Sequence, residues 1–140
     1  MKYLFLDKDG TLVQNVPYNC DPNKIKFNMH IVEMVKSYVC KGYTPLIITN
    51  QSGIGRGYFS EDNFRDYMVE LLKELQKMGI ETTYGFCPHT PQDNCVCRKP
   101  SIGMVDGLQI DPDSVMIGDT ESDFGFAENL GIKYIGAHDN

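Results

Sequence analysis

Two kinds of periodicity alternate along the chain. The apolar runs "KYLFL" (Lys2 to Leu6), "TPLIITN" (Thr44 to Asn50) and "SVMIGD" (Ser114 to Asp119) read as buried strands. "ETTYGF" (Glu81 to Phe86) alternates as a strand does, and "IKYIG" (Ile132 to Gly136) reads as the last. Between the first two strands, Ile31, Met34, Val35, Tyr38 and Val39 recur at helical spacing, with Asn28 as the expected N-cap and Gly42 as the stop. A longer helix opens at Ser60, carries Phe64, Tyr67, Met68, Leu71, Leu72, Leu75 and Met78 on one face, and ends at Gly79. A helix beginning near Ser101 and another from Ser122 to Leu130, stopped by Gly131, are expected in the remaining gaps, and Gln14 to Asn28 reads as a loop.

Strands alternating with helices imply an α/β fold, with a mainly parallel central sheet covered on both faces. Such sheets bind ligands beyond the carboxyl ends of their strands. The residues at those ends are Asp7, Thr49, Cys87 and Asp119, and Lys99 follows the cysteine-rich loop.

Composition narrows the picture. A chain of 140 residues, 41% hydrophobic and 23% charged, fits one ordinary globular domain, expected to span 1–140, with no need of a staple. The N-terminal apolar run meets Asp7 too soon to be a signal-peptide core, and no run approaches the ~20 residues of a membrane span, so a cytoplasmic protein is expected. The net charge of -6 argues against a broad nucleic-acid surface, although a small basic pocket could still hold a phosphate.

Asp7 and Asp9 of "DKDGT" lie two apart in extended chain, so both can face one site before Gly10 permits the turn. Alone, this is equally an Asp-Gly turn with solvated acids, though the glycine comes too early for an EF-hand loop. "GDTESD" supplies Asp119 at a strand end and Asp123 four residues on; alone, these could be a turn residue and a helix cap. If Asp7, Asp9, Asp119 and Asp123 converge at one sheet edge, their mutual repulsion calls for a hard divalent cation, and oxygen donors suit Mg2+.

"CPHTPQDNCVCRKP" pairs Cys87 with His89 and Cys95 with Cys97, each two apart, with five residues between the pairs. Three thiolates and an imidazole match a closed, structural tetrahedral Zn2+ site over 87–97, the alternatives being free thiols or a redox-active Cys95 and Cys97. Such a clip would fix the backbone from which Arg98 and Lys99 are aimed. Cys20 and Cys40 lie outside it, and Cys40, at a helix end, is expected to be a packing residue.

"FLDKDGTL", "IITNQSGIGRG", "CRKP" and "GDTESD" resemble, in order and strand context, the four motifs of the haloacid dehalogenase (HAD) superfamily of phosphohydrolases. The branch most resembled is the histidinol-phosphate phosphatase and heptose 1,7-bisphosphate phosphatase group, which shares the zinc loop. The resemblance implies a three-layer Rossmann-like fold, and the gaps after the first and second motifs are too short for a separate cap domain. It implies Asp7 as nucleophile forming an aspartyl phosphate, Asp9 as general acid and then base, and Thr49 and Lys99 on the phosphoryl oxygens. It implies Mg2+ on the Asp7 carboxylate, the Asp9 carbonyl and Asp119, with Asp123 acting through water or orienting a ligand. Asn15, Val16, Pro17, Tyr18, Asn50, Gln51, Ser52, Arg56 and Arg98 would contact substrate.

The substrate class divides two readings. The five-residue zinc spacer resembles the histidinol-phosphate enzymes; "TNQSGIGRG", with Arg56, resembles the heptose enzymes more, although Thr120 replaces their usual lysine. A sugar phosphate of the heptose 1,7-bisphosphate type is the main expectation, with histidinol phosphate as the alternative. A phosphoryl-accepting signalling module and an inactive zinc-stabilised binding module are the readings from other classes. The expected partner is a small phosphomonoester, not nucleic acid or membrane, and the chain is expected to act as a monomer.

Overall fold

The computed structural model describes residues 1–138. Five strands, β1 (Tyr3–Leu6), β2 (Thr44–Asn50), β3 (Thr83–Cys87), β4 (Val115–Gly118) and β5 (Lys133–Gly136), form one parallel sheet in the order β3-β2-β1-β4-β5. β1 is central, with Phe5 in register with Leu46 on one side and Met116 on the other. The helices are α1 (Met29–Cys40), the single turn α2 (Ser52–Gly55), α3 (Glu61–Lys77) and α4 (Glu121–Leu130).

Strand alternation splits the core into two layers. Leu4, Leu6, Ile47 and Ile117 pack with Ile31, Val32 and Val35 of α1 and with Phe64, Tyr67, Met68, Leu71 and Leu75 of α3. Phe5, Ile48 and Met116 face the other way, against Phe126 and Ala127 of α4. The chain therefore runs outward from β1 through β2 to β3 on one side and returns to β4 on the other. The order reverses between β1 and β4, which is where an open parallel sheet leaves its ligand crevice.

The expected strands and the α1 and α3 helices form, with differences at their ends. Asn28 precedes α1, but its side chain does not cap the helix; its amide donates to Thr11 O at 2.7 Å, tying the helix start to the first-strand loop. Ser60 does cap α3, accepting from Asn63 N at 3.0 Å. α4 is capped by Thr120 rather than Ser122, in a reciprocal capping box with Asp123. The helix expected near Ser101 is only a 3-10 turn, Gly103–Val105. Pro100, Gly103, Gly107 and Pro112 interrupt that stretch too often for a helix to propagate, so an irregular crossover joins β3 to β4. The turn α2 was not foreseen, and the 14–28 loop contains a 3-10 turn at Pro22–Lys24. Cys40 is exposed and not the packing residue expected. Among the described residues, no helix is long and apolar enough to cross a membrane.

Candidate active site and metal-binding clip

Asp7 leaves the carboxyl end of β1 already constrained, its N–H donating to Ile117 O at 3.0 Å as a continuation of the ladder. Its carboxylate is buried, 7% exposed. Oδ1 accepts from Lys99 Nζ at 3.0 Å and Oδ2 from Thr11 Oγ1 at 3.2 Å, while Thr11 Oγ1 also lies 3.3 Å from Asp119 Oδ1. Lys99, equally buried, donates its other two hydrogens to Asp123 Oδ1 at 2.6 Å and Ile48 O at 2.7 Å. All three of its donors are thus engaged, and one cation sits between two carboxylates.

Two glycines permit this crowding. Gly10 turns with φ +83°, and a Cβ there would run into the Asp119 carboxylate. At Gly118 a Cβ would overlap Asp123, so the first turn of α4 can close onto the end of β4 only because that position is bare. Asp123 Oδ2 accepts from Asp119 N at 3.1 Å, Thr120 N at 3.2 Å and Thr120 Oγ1 at 2.9 Å. With Oδ1 on Lys99, both its oxygens are committed to the protein, which makes Asp123 an orienting residue more than an open ligand.

Burial pushes the Asp7 carboxyl well above its ordinary range; Lys99 pulls it back and Asp123 pushes it up again. The ordinary carboxylate value therefore does not by itself keep this residue ionised. The Lys99 ammonium is pulled down by burial, but Asp7 and Asp123 outweigh this and raise it, so it stays charged.

Asp9 is held differently. Oδ1 accepts from Lys8 Nζ at 2.6 Å and Oδ2 from Gln51 Nε2 at 3.0 Å, and Gln51 Nε2 also donates to Thr49 Oγ1 at 2.9 Å. A cleft of about 280 Å³ opens beside it, lined by Asp9, Asn15, Pro17, Tyr18, Asn50, Gln51 and Ser52 among others. The residues expected to touch substrate thus gather in one place, with three exceptions. Val16 is not among the lining residues; Arg56 donates to Ser52 Oγ at 3.3 Å from outside; and Arg98 borders a separate hollow with Thr90, Asn94 and Lys99. Asn50 lines the cleft, but its amide is spent on Lys99, donating to Lys99 O at 3.2 Å and accepting from Lys99 N at 2.9 Å, so it splints the lysine's backbone to the end of β2.

Oxygen atoms of Asp7, Asp119 and Asp123 all lie within 4.8 Å of one another, and Asp119 is exposed. Carboxylates alone, one of them raised by burial, are a donor set suited to a hard cation such as Mg2+. Sγ of Cys87, Cys95 and Cys97 and a ring nitrogen of His89 likewise lie within 4.8 Å of one another, soft donors in the number a tetrahedral Zn2+ takes. Cys87 ends β3, and Asn94 reverses the chain with φ +50° to bring Cys95 and Cys97 back. The loop is tied to the site: Gln51 N donates to Cys87 O at 2.8 Å, Gly55 N to Pro88 O at 2.9 Å and Arg98 Nη1 to His89 O at 3.4 Å.

Four contributors escape sequence reasoning. Thr11 bridges Asp7 and Asp119, Thr120 holds Asp123, and Lys8 with Tyr67 backs Asp9. Thr11 and Lys8 stand inside the "DKDGT" motif, and the β1 alternation of Leu4 and Leu6 would have turned Lys8 inward. The Tyr67 hydroxyl carries no such signal, because Tyr67 reads as one more apolar position of α3.

The family model for polynucleotide kinase 3 phosphatase matches residues 2–120. The chain is 39% identical over 142 residues to a probable D-glycero-D-manno-heptose-1,7-bisphosphate 7-phosphatase of Thermoplasma acidophilum, covering 96% of this chain and 88% of that protein. It is 35% identical over 143 residues to the histidine biosynthesis bifunctional protein HisB of Legionella pneumophila, covering 96% of this chain but 40% of that longer protein. Among solved structures, D,D-heptose 1,7-bisphosphate phosphatase from B. bronchiseptica, complexed with magnesium and phosphate, superposes with a TM-score of 0.82 at 27% identity, covering 96% of this chain and 79% of that one.

Proposed function

The chain belongs to the polynucleotide kinase 3 phosphatase family, within the HAD superfamily of phosphohydrolases, and from that premise we propose that it is a phosphomonoesterase acting on a small sugar phosphate of the D-glycero-D-manno-heptose 1,7-bisphosphate type. The observation that carries the reading is the buried Asp7 carboxylate, presented at the sheet's crevice with Lys99 on one oxygen and Thr11 on the other.

Asp7 attacks phosphorus. Asp9 gives its proton to the leaving oxygen and later takes one from the hydrolytic water. Lys99 supplies positive charge where the transferring phosphoryl accumulates negative charge, and Thr49, 1% exposed, offers a hydroxyl at the end of β2. Asp119, Asp7 and the Asp9 carbonyl would hold Mg2+, whose charge would keep the nucleophile ionised and offset its repulsion from the phosphate. Asp123 orients Lys99 and the Asp119 backbone.

Zn2+ on Cys87, His89, Cys95 and Cys97 has a structural role in this reading, since four protein ligands leave no open position. Burial raises the Cys87 thiol far above its ordinary value; it acts the same way on Cys95, but the Arg98 N–H and the Cys87 thiol outweigh it and lower Cys95 to about 6. Elemental analysis should find close to one zinc per chain, and a carefully purified, folded protein without zinc would remove the assignment.

The heptose reading is supported by the T. acidophilum and B. bronchiseptica proteins and by the polar lining of the cleft. The likeness to HisB keeps histidinol phosphate as the second substrate to test. A polynucleotide end suits the chain less well: its net charge is -6, and the carboxylate cluster includes the exposed Asp119. Phosphate release should be measured on heptose 1,7-bisphosphate, histidinol phosphate, common sugar phosphates and a 3'-phosphorylated oligonucleotide, with Asp7→Asn as control. Preference for the heptose, lost in the control, is expected. Preference for another ester would replace the substrate, and turnover by the control would overturn the nucleophile.

A further inference from the structure

Lys8 has no part in the chemistry above, yet it is 0% exposed. Burying an ammonium costs several kcal/mol unless it is well paired, so an apolar residue at this inward position of the chain would pack more cheaply. The partners of Lys8 are specific. Its Nζ donates to Asp9 Oδ1 at 2.6 Å and to Tyr67 Oη at 3.3 Å, and it stands 4.7 Å from the centre of the Tyr67 ring. Tyr67, 1% exposed, is anchored in the middle of α3. The ammonium is thus fixed from below by a helix of the core and presents its charge to one oxygen of one carboxylate.

That carboxylate lines the cleft, and among the described residues its other oxygen is held only by the Gln51 amide, whose second partner is Thr49 Oγ1. A carboxyl group that must carry a proton to a leaving group cannot offer both oxygens equally. The one against a buried ammonium is the poorer place for a proton, and it cannot turn toward the cleft without stranding that ammonium. Gln51 can release its bond to Asp9 and keep the one to Thr49.

We infer that Lys8, backed by Tyr67, is a positioning residue that locks Asp9 Oδ1 and so assigns proton transfer to Oδ2. This rests on the reading of Asp9 as the general acid. In the first step an Asp7 oxygen bonds to phosphorus, the bond from phosphorus to the ester oxygen breaks with its electron pair going to that oxygen, and the proton on Asp9 Oδ2 moves to it, leaving an alcohol. In the second, water bonds to phosphorus and gives a proton to Oδ2, while the phosphorus bond to Asp7 breaks and returns its electrons to the carboxylate.

The test separates positioning of the acid from support of the fold by the basicity of the leaving group. A sugar alkoxide needs a proton as it departs; p-nitrophenolate scarcely does. Lys8→Met is expected to lower kcat on the sugar phosphate by ~10–100-fold with KM little changed, and to lower it on p-nitrophenyl phosphate by less than ~3-fold. Tyr67→Phe should give a smaller loss with the same selectivity, and Lys8→Arg should restore part of the rate. Should Lys8→Met fail to fold, the selectivity of Tyr67→Phe decides the matter. Equal losses on both esters, or no loss in folded variants, would overturn the inference. Asp9→Asn is the reference: a wild-type ratio of the two rates there would show that Asp9 is not the acid, a different failure from an Asp9-dependent ratio that Lys8 and Tyr67 leave unmoved.

Discussion

The carboxylate cluster and the sulfur cluster stand at the same edge of the sheet, but they are built on opposite plans. Around Asp7 and Asp123 the protein supplies its own counter-charge: Lys99 lies between them, and each carboxylate oxygen has a protein donor. The surroundings are core strands and the capped first turn of α4. Around Cys87, the other ligands ride on a loop of 3-10 turn and bends, and the ligand atoms have chiefly each other for company. In the proposed reading, the first cluster is organised by the fold and takes Mg2+ for its chemistry, whereas the second relies on Zn2+ to hold a loop that has little other support. Arg98 and Lys99 follow Cys97 directly and join the two, with Asn50 holding the Lys99 backbone to the end of β2.

The sharpest break of this contrast is at Asp7. Asp7→Asn should lower turnover by more than ~10⁴-fold in steady-state assays while leaving the circular dichroism spectrum unchanged. In metal-free protein the same substitution should raise the melting temperature. Burial holds the folded Asp7 above its unfolded value, so stability is lost as pH rises between the two; the neutral amide removes that loss at pH 7. A melting temperature that falls would show that the Lys99 pairing outweighs burial.

Lys99→Met should come next. It leaves Asp7 and Asp123 facing each other without their shared cation, which is expected to cost about 3–5 kcal/mol in denaturant titrations and to abolish activity. If the fold is unchanged in stability, the hard cluster is not charge-balanced in the way described.

Zinc removal probes the other side. Chelation, or Cys97→Ser, should raise hydrogen exchange over 88–98, leave exchange in β1 and β4 unchanged, and lower activity by ~10–100-fold through Lys99. Mg2+ removal should abolish activity without altering exchange in either place. Equal exchange in 88–98 with and without zinc would erase the distinction between the clusters. The smallest effect is expected at Cys40→Ser, an exposed cysteine outside the clip, within ~0.5 kcal/mol of wild type and with full zinc content.

Much of this arrangement is legible in the linear chain because its signals are local. A strand ending in "DKDGT" places two carboxylates and a turn within five residues, and the ligand pairs Cys87 with His89 and Cys95 with Cys97 are close enough to meet by loop closure alone. The stretch after Ser101 differs: a helix is expected there only because a gap separates two strands, yet the proline and glycine spacing prevents one and a crossover with only a 3-10 turn results. The resemblance places Asn50 at the substrate and it does line the cleft, but the bond of its amide to a residue 49 positions away has no local signal.

Sequence by itself determined the α/β alternation, the acidic edge, the two candidate metal sites and the family, since each rests on residue type, short spacing or an ordered set of motifs. Tertiary structure alone decided the sheet order, and with it the crevice between β1 and β4 where Asp7, Lys99 and Asp123 share charge. It also decided that Lys8 reaches back to Tyr67 beneath Asp9, and that Asp7 is lifted from its ordinary ionisation. Pairings across 59 to 108 residues depend on which strands become neighbours, and that choice is governed by burial of apolar surface over the whole chain.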